Sequence, residues 1–295
     1  MEVVLIVNPF ASEVTEARVR AVERELGRAG TVQTLLTERP GHAAELAAAA
    51  GGDAVVVYSG DGGFNEVLNG IGEGVPLGFL PGGGTSVLPR ALGLPRNATV
   101  AARRVAEALE EGRTRSIGLG RVNGRRFAFA AGVGLDAELV RRVDALGRRE
   151  DGKRPSDVAY LTAALRLVAE QHGRFEPALE VRGLGRAAFA LVANTDPYSY
   201  AGRVPLHVAP EARFELGLDL VAPQRVRTGA LPRLLQYAFT GRGQAKAADV
   251  IYAHDLDRIE LECDRPLPLQ VDGEDLGDVE SAVFEAERGA ATVLV

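Results

Sequence analysis

Residues 53–69 read DAVVVYSGDGGFNEVLN, and the reading of the fold starts there. The run from Ala54 to Tyr58 is apolar at every position, the pattern of a strand covered on both faces rather than one. It breaks into Ser59-Gly60-Asp61-Gly62-Gly63, and a helix is expected from near Phe64. Glycines remove the Cβ atoms that would keep a phosphate off the backbone, so consecutive N–H groups and the new helix start can face an anion. Asp61 is the odd member. A carboxylate beside phosphates repels them unless a cation, a proton or a hydrogen bond intervenes. Taken alone, the run is equally a glycine turn with an aspartate cap.

Working outward, residues 75–90, VPLGFLPGGGTSVLPR, repeat the arrangement one strand later. Pro81 ends a strand, and Gly82-Gly83-Gly84 leads to Thr85 and Ser86 at a helix start. Toward the N-terminus, Val7-Asn8-Pro9-Phe10-Ala11-Ser12 closes the first strand, with Asn8 able to hydrogen-bond and Ser12 able to cap. Val3–Val7, Val32–Leu36, Ala54–Tyr58 and Pro76–Leu80 are expected as buried strands, with helices over Ser12–Arg28 and His42–Ala50 between them. This alternation predicts an α/β domain with a parallel sheet over 1–117, whose ligand crevice lies at the carboxyl ends of the strands. There is no GxxxxGK[ST] run and no GxGxxG opening a first helix, which argues against a P-loop or dinucleotide Rossmann site.

Beyond about Arg115 the pattern changes to short runs joined by turn residues, Asn123-Gly124 and the glycines of 181–186 among them. Residues 118–285 are therefore expected to form a mainly antiparallel, β-rich second domain. Its helices are expected near Asp136–Leu146, Asp157–Gln171 and Leu231–Thr240, and residues 286–295 are candidates to return to the first domain.

The 295 residues, 46% hydrophobic and 25% charged, suit a two-domain globular enzyme. One cysteine, Cys263, excludes an intramolecular disulfide and any multi-cysteine metal site, and points to a reducing cytoplasm. The start lacks the features of a signal peptide, and no stretch of about 18 apolar residues is present. A net charge of -6 argues against nonspecific nucleic-acid binding. The four histidines show no metal-ligand spacing.

At the glycine loops the sequence resembles the diacylglycerol kinase catalytic domain family. SGDGGFNEVLNG is similar to its GGDGT-x-NEV signature and LPGGGTSVLPRALGLP to its LP-x-GT-x-ND-x-AR segment. NPFAS is similar to its NP-x-x-G start, and QVDGE at 270–274 to a fourth motif. The order is kept across nearly the whole chain, nearest in pattern to the soluble bacterial lipid kinases, and sphingosine kinases share the SGDG variant. The resemblance implies ATP on an NAD kinase/diacylglycerol kinase-like first domain, with the lipid between it and a β-sandwich-like second one. The nucleotide contacts it implies are Asn8, Pro9, Ser12, Thr37, Ser59, Gly60, Asp61, Gly62, Gly63, Asn65, Glu66, Gly83, Gly84 and Thr85, with Glu66 holding its loop. It further implies Mg²⁺, a catalytic set of Glu274, Asp272 and Asp61 with Glu274 as base, and Asp219 at a magnesium site. Attack of a lipid hydroxyl on the γ-phosphate needs such a base.

Four positions depart from the pattern: Ser12, Gly63, Gly84 and Ser86 stand where the family has glycine, threonine, threonine and asparagine. The expected activity is an ATP-dependent lipid kinase at the cytoplasmic face of the inner membrane, with peripheral membrane contact, no nucleic acid, and a homodimer left open. The alternatives are a kinase of a soluble alcohol or NAD, and a non-catalytic binder with a degenerate site. Arg141, Arg142, Arg148, Arg149, Lys153 and Arg154 offer anionic headgroups a basic segment, or form an ordinary solvated loop.

Overall fold

A computed structural model describes residues 1–147 and 157–295. Arg148, Arg149, Lys153 and Arg154 of the basic segment lie outside the described residues. The chain divides into two compact units, Met1–Leu119 with Arg288–Val295, and Gly120–Glu287.

The first unit carries β1 (Glu2–Val7), α1 (Glu16–Leu26), β2 (Thr31–Leu36), α2 (His42–Ala49), β3 (Ala54–Ser59), α3 (Asp61–Gly70), β4 (Leu77–Pro81), α4 (Val87–Ala91) and α5 (Ala98–Glu110). Its sheet is parallel in the order β4-β3-β1-β2. Strand β3 is buried throughout, and β1 from Val3 to Val7. The all-buried expectation fails at β2, whose residues are half-buried or exposed, with Leu36 54% exposed. It pairs with β1 alone and so forms an edge. The expected helix starts also shift. Thr15, not Ser12, caps α1, its hydroxyl accepting from the Arg18 N–H at 3.3 Å. Helix α3 begins at Asp61, so Gly62 and Gly63 lie inside its first turn rather than before it.

The second unit takes in the end of β5 (Thr114–Val122), then β6 (Arg125–Phe127), β7 (Ala130–Val133), α6 (Leu135–Asp144), α7 (Asp157–Glu170), β8 (Leu179–Val181), β9 (Gly185–Ala187), β10 (Ala190–Ala193), β11 (Ser199–Ala201), β12 (Val204–Leu206), β13 (Leu218–Pro223), α8 (Leu231–Thr240), β14 (Val250–Leu256), β15 (Arg258–Val271) and the first part of β16 (Glu274–Leu294). Its main sheet runs β14-β13-β10-β7-β15-β16, antiparallel at each pairing. The Asn123-Gly124 turn has positive φ at both residues (47° and 90°), the twist a two-residue hairpin prefers. Its core gathers Phe127, Val192, Leu220, Leu261 and Phe284. The end of β16 then joins the first unit's sheet, Val293 pairing in parallel with Leu77 of β4.

Candidate functional site

In the first unit the two glycine loops lie against each other. The Gly82 N–H donates to the Ser59 carbonyl at 2.7 Å. A Cβ built on Gly83 would stand 3.1 Å from the Gly60 Cα, and one on Gly82 would stand 2.9 Å from the Ser59 carbonyl oxygen. Side chains there would push the loops apart. Asp61 fastens the pair: its carboxylate accepts from the Val87 and Leu88 N–H groups at 3.0 and 3.2 Å. The carboxylate expected to be odd in a phosphate loop thus caps α4, where Ser86 sits with φ 46° and makes no side-chain cap. Through these two bonds the Asp61 carboxylate holds the second loop against the first.

Glu66 performs the same service elsewhere. It was expected to hold its own loop, yet its two oxygens accept from the Gly41 and Ala43 N–H groups at 2.9 and 3.1 Å, at the start of α2. That tethers the segment after the buried Thr37, whose N–H donates to the Val7 carbonyl at 2.9 Å. Asn8 folds its own turn, with its Oδ1 accepting from the Phe10 N–H at 2.9 Å. Asn65 is buried and receives the Asn69 amide.

The departure at Gly63 has a partner. A Cβ at Gly63 would lie 2.2 Å from the Ser59 Oγ, so a threonine there requires Ser59 to shift. That hydroxyl is buried and has no hydrogen-bond partner among the described residues. By contrast Gly84 opens on empty space, with nothing within 4 Å of its notional Cβ. A pocket of about 430 Å³ borders the second loop, lined by Gly83, Gly84, Thr85 and Ser86 with Arg90 and Arg96. A glycine loop that borders a pocket with arginines in its lining could hold a nucleotide's phosphates.

In the second unit the acidic turn sits between β15 and β16, with positive φ at Asp272 (48°) and Gly273 (79°). Asp272 is buried and accepts from the Ala128, Phe129 and Ala130 N–H groups at 2.7, 3.0 and 3.2 Å. Three amide bonds make it an anchor of the turn. Glu274 is half-buried, with an Arg125 guanidinium 3.5 Å away. Below the turn is a cluster the sequence reading missed. The Gln270 Oε1 accepts from the Gly273 N–H at 2.9 Å, while its Nε2 donates to the Asp136 carboxylate at 2.7 Å and to the Tyr198 hydroxyl at 2.9 Å. The Tyr198 hydroxyl donates to the same Asp136 oxygen at 2.7 Å. Burial raises the Asp136 carboxyl above the usual range, partly offset by these two hydrogen bonds. It raises the Tyr198 phenol further, with Asp136 adding to the effect. Gln270 stood in the quoted QVDGE motif, but nothing in the sequence links it to residues 72 and 134 positions away.

Asp219, expected at a magnesium site, is fully buried and accepts from the His254 Nδ1 at 2.8 Å and the Asp255 N–H at 3.1 Å. Among the described residues no three His, Cys, Asp or Glu side chains group to hold an ion. A magnesium ion usually keeps waters and nucleotide oxygens as most of its ligands, so a kinase does not need such a grouping. Of the basic segment, Arg141 pairs with Asp275 and Asp278, and Arg142 with Glu138 and Glu170, which leaves neither as a bare cation. Burial pushes the Cys263 thiol up to about 11, where it is a poor nucleophile.

Comparison with known proteins places this geometry. The diacylglycerol kinase catalytic domain matches residues 2–122, and the YegS C-terminal NAD kinase beta sandwich-like domain matches residues 130–295. A diacylglycerol kinase of Bacillus subtilis is 28% identical over 280 residues, covering 92% of this chain and 88% of that protein. Among solved structures, a diacylglycerol kinase from Bacillus anthracis superposes with TM-score 0.71 at 19% identity, over 99% of this chain and 96% of that one. An NAD kinase from Archaeoglobus fulgidus, solved with ATP, gives TM-score 0.55 at 15% identity over 100% and 94%. With both of its units matched in order, the chain belongs to the diacylglycerol kinase catalytic domain family, in the form that carries the YegS-type β-rich domain.

Proposed function

We propose that this protein is an ATP-dependent lipid kinase that phosphorylates a hydroxyl of diacylglycerol or a related lipid, working peripherally at the inner membrane surface. The observation that carries the reading is the fastening of the two glycine loops through Asp61, which makes one platform of backbone N–H groups. ATP, once bound, supplies the phosphoryl group. The residues fitted to hold it are Ser59–Gly63 and Gly83–Thr85, with the tethered segment at Thr37 beside them. Backbone donors need no reorganisation as charge builds on the transferring group. Asp272 fixes the turn, and Glu274 takes the proton from the attacking hydroxyl. The loss of threonine at 63 is matched by the hydroxyl of Ser59 in the same space, which favours a rebuilt loop over a decayed one.

A second reading, phosphorylation of a soluble alcohol or of NAD, draws on the likeness to the NAD kinase fold. The deciding experiment supplies radiolabelled ATP and Mg²⁺ with bacterial lipids in mixed micelles, and in parallel with NAD and glycerol. Label in one lipid, reduced by at least about a hundredfold in Glu274→Ala, is expected for loss of a general base. Label only in a soluble acceptor moves the assignment to the second reading. Labelling undiminished in Glu274→Ala removes Glu274 as the base.

A further inference from the structure

Helix α8 has no buried residue. Its inner side, Leu231 and Leu234, packs on the small cluster of Ala188, Phe189 and Val226. Its outer side shows Leu235 and Phe239, one turn apart and 59% and 50% exposed. The hairpin β11–β12 lies along it, with the His207 N–H donating to the Ala238 carbonyl at 2.6 Å, and adds Val204, 48% exposed. The segment that carries this helix has charged side chains of one sign. From Gln224 to Ala248 the sequence holds Arg225, Arg227, Arg233, Arg242 and Lys246 and no acid, in a chain whose net charge is -6. Arg225 is paired with Glu176, and Arg233 with Asp249. Arg227, Arg242 and Lys246 are exposed.

We propose that α8, with the hairpin beside it, is the face by which the second unit docks on an anionic lipid bilayer. Exposed apolar side chains rimmed by cations match the boundary between acyl chains and anionic headgroups. Helix α7 also exposes a stripe, Val158, Leu161 and Leu165. Its residues 157–170 carry two acids and one arginine, however, so it lacks the complementary charge. No helix among the described residues is long and apolar enough to cross a membrane, so attachment through α8 is interfacial. The inference rests on the lipid-kinase reading for its purpose, but its test does not depend on turnover.

The full chain is sedimented with vesicles of phosphatidylcholine alone and of phosphatidylcholine with phosphatidylglycerol. Binding is expected to the anionic vesicles only and to weaken as salt is raised. Leu235→Asp with Phe239→Asp, and separately Arg242→Glu with Lys246→Glu, should each lower the partition constant roughly tenfold or more. Leu161→Asp with Leu165→Asp should leave it unchanged. Thermal melts that match the parent establish that the variants fold, and the charge-reversal pair stands in should the apolar pair not. Equal binding to neutral vesicles, retained binding in both α8 variants, or loss only in the α7 variant overturns the proposal. Phosphorylation of a short-chain diacylglycerol in detergent separates the two claims. If no lipid is labelled there while vesicle binding still depends on α8, the docking face stands and the kinase reading falls.

Discussion

Position 63 shows how a departure from a family pattern can be a rearrangement. The space a Cβ would take at Gly63 is filled by the Ser59 Oγ, 2.2 Å from it. Gly63→Thr alone is therefore expected to destabilise the first unit by about 1–3 kcal/mol, the cost of overpacking a filled site. Adding Ser59→Gly should restore most of that loss, since the two positions share one volume. Chemical denaturation of the single and double variants measures the coupling, and simple additivity would refute the shared-volume account. The residue scale is also where the sequence said least. Asp61, Glu66 and Asp272 were legible as acids in motifs, but not as acids with their oxygens spent on backbone N–H groups. Motif spacing fixes which loop a carboxylate belongs to. Which amides meet it depends on segments up to 144 residues distant.

Among the elements, the turn between β15 and β16 is held from two sides, by Asp272 and by Gln270. Gln270→Ala leaves the Gly273 N–H without its acceptor, a loss of about 1–3 kcal/mol. If the turn aims Glu274, kcat toward lipid should fall by about tenfold, a cost of about 1.4 kcal/mol in the barrier, while ATP affinity stays put. A variant with lowered stability and an unchanged kcat would make Gln270 purely structural. The pairing of β13 with β14 carries a different signal. Its register shifts between Leu218 and Leu220, and there Asp219 meets His254. Asp219 raises the His254 imidazole above its ordinary 6.5, and burial raises the Asp219 carboxyl. Both groups hold protons more tightly folded than unfolded. Their stabilisation is thus full below the unfolded values and is lost as pH rises through the folded ones. The melting temperature should drop as pH climbs from about 6 toward 8, and His254→Asn should flatten that slope. An equally steep slope in the variant would place the titrating groups elsewhere. The strand and helix pattern was readable because buried runs and turn residues are local signals. The β2 edge was not, since a strand's exposure depends on which neighbours pair with it.

On the scale of the whole molecule, the sequence changes from alternating strands and helices to short turn-linked strands near residue 117, and the first compact unit takes in Met1–Leu119 with Arg288–Val295. What patterning hinted at least was the return of the last residues to the first unit's sheet. There Ala291, Val293 and Leu294 are buried, Val293 pairs with Leu77, and the Val295 carbonyl accepts from Arg113 at 2.7 Å. None of these residues lies in the loops proposed to bind nucleotide. Ending the chain after Glu287 should nevertheless cost the first unit about 3–6 kcal/mol, at about 1.5–3 kcal/mol for each large side chain no longer buried. That is comparable to the stability of a whole domain. ATP binding is then expected to vanish together with the lower of two unfolding transitions, while the second unit's transition persists in calorimetry. If the shortened chain binds ATP with the parent's affinity, the final strand closes the sheet without supporting it. The platform would then depend on β1, β3 and β4 alone.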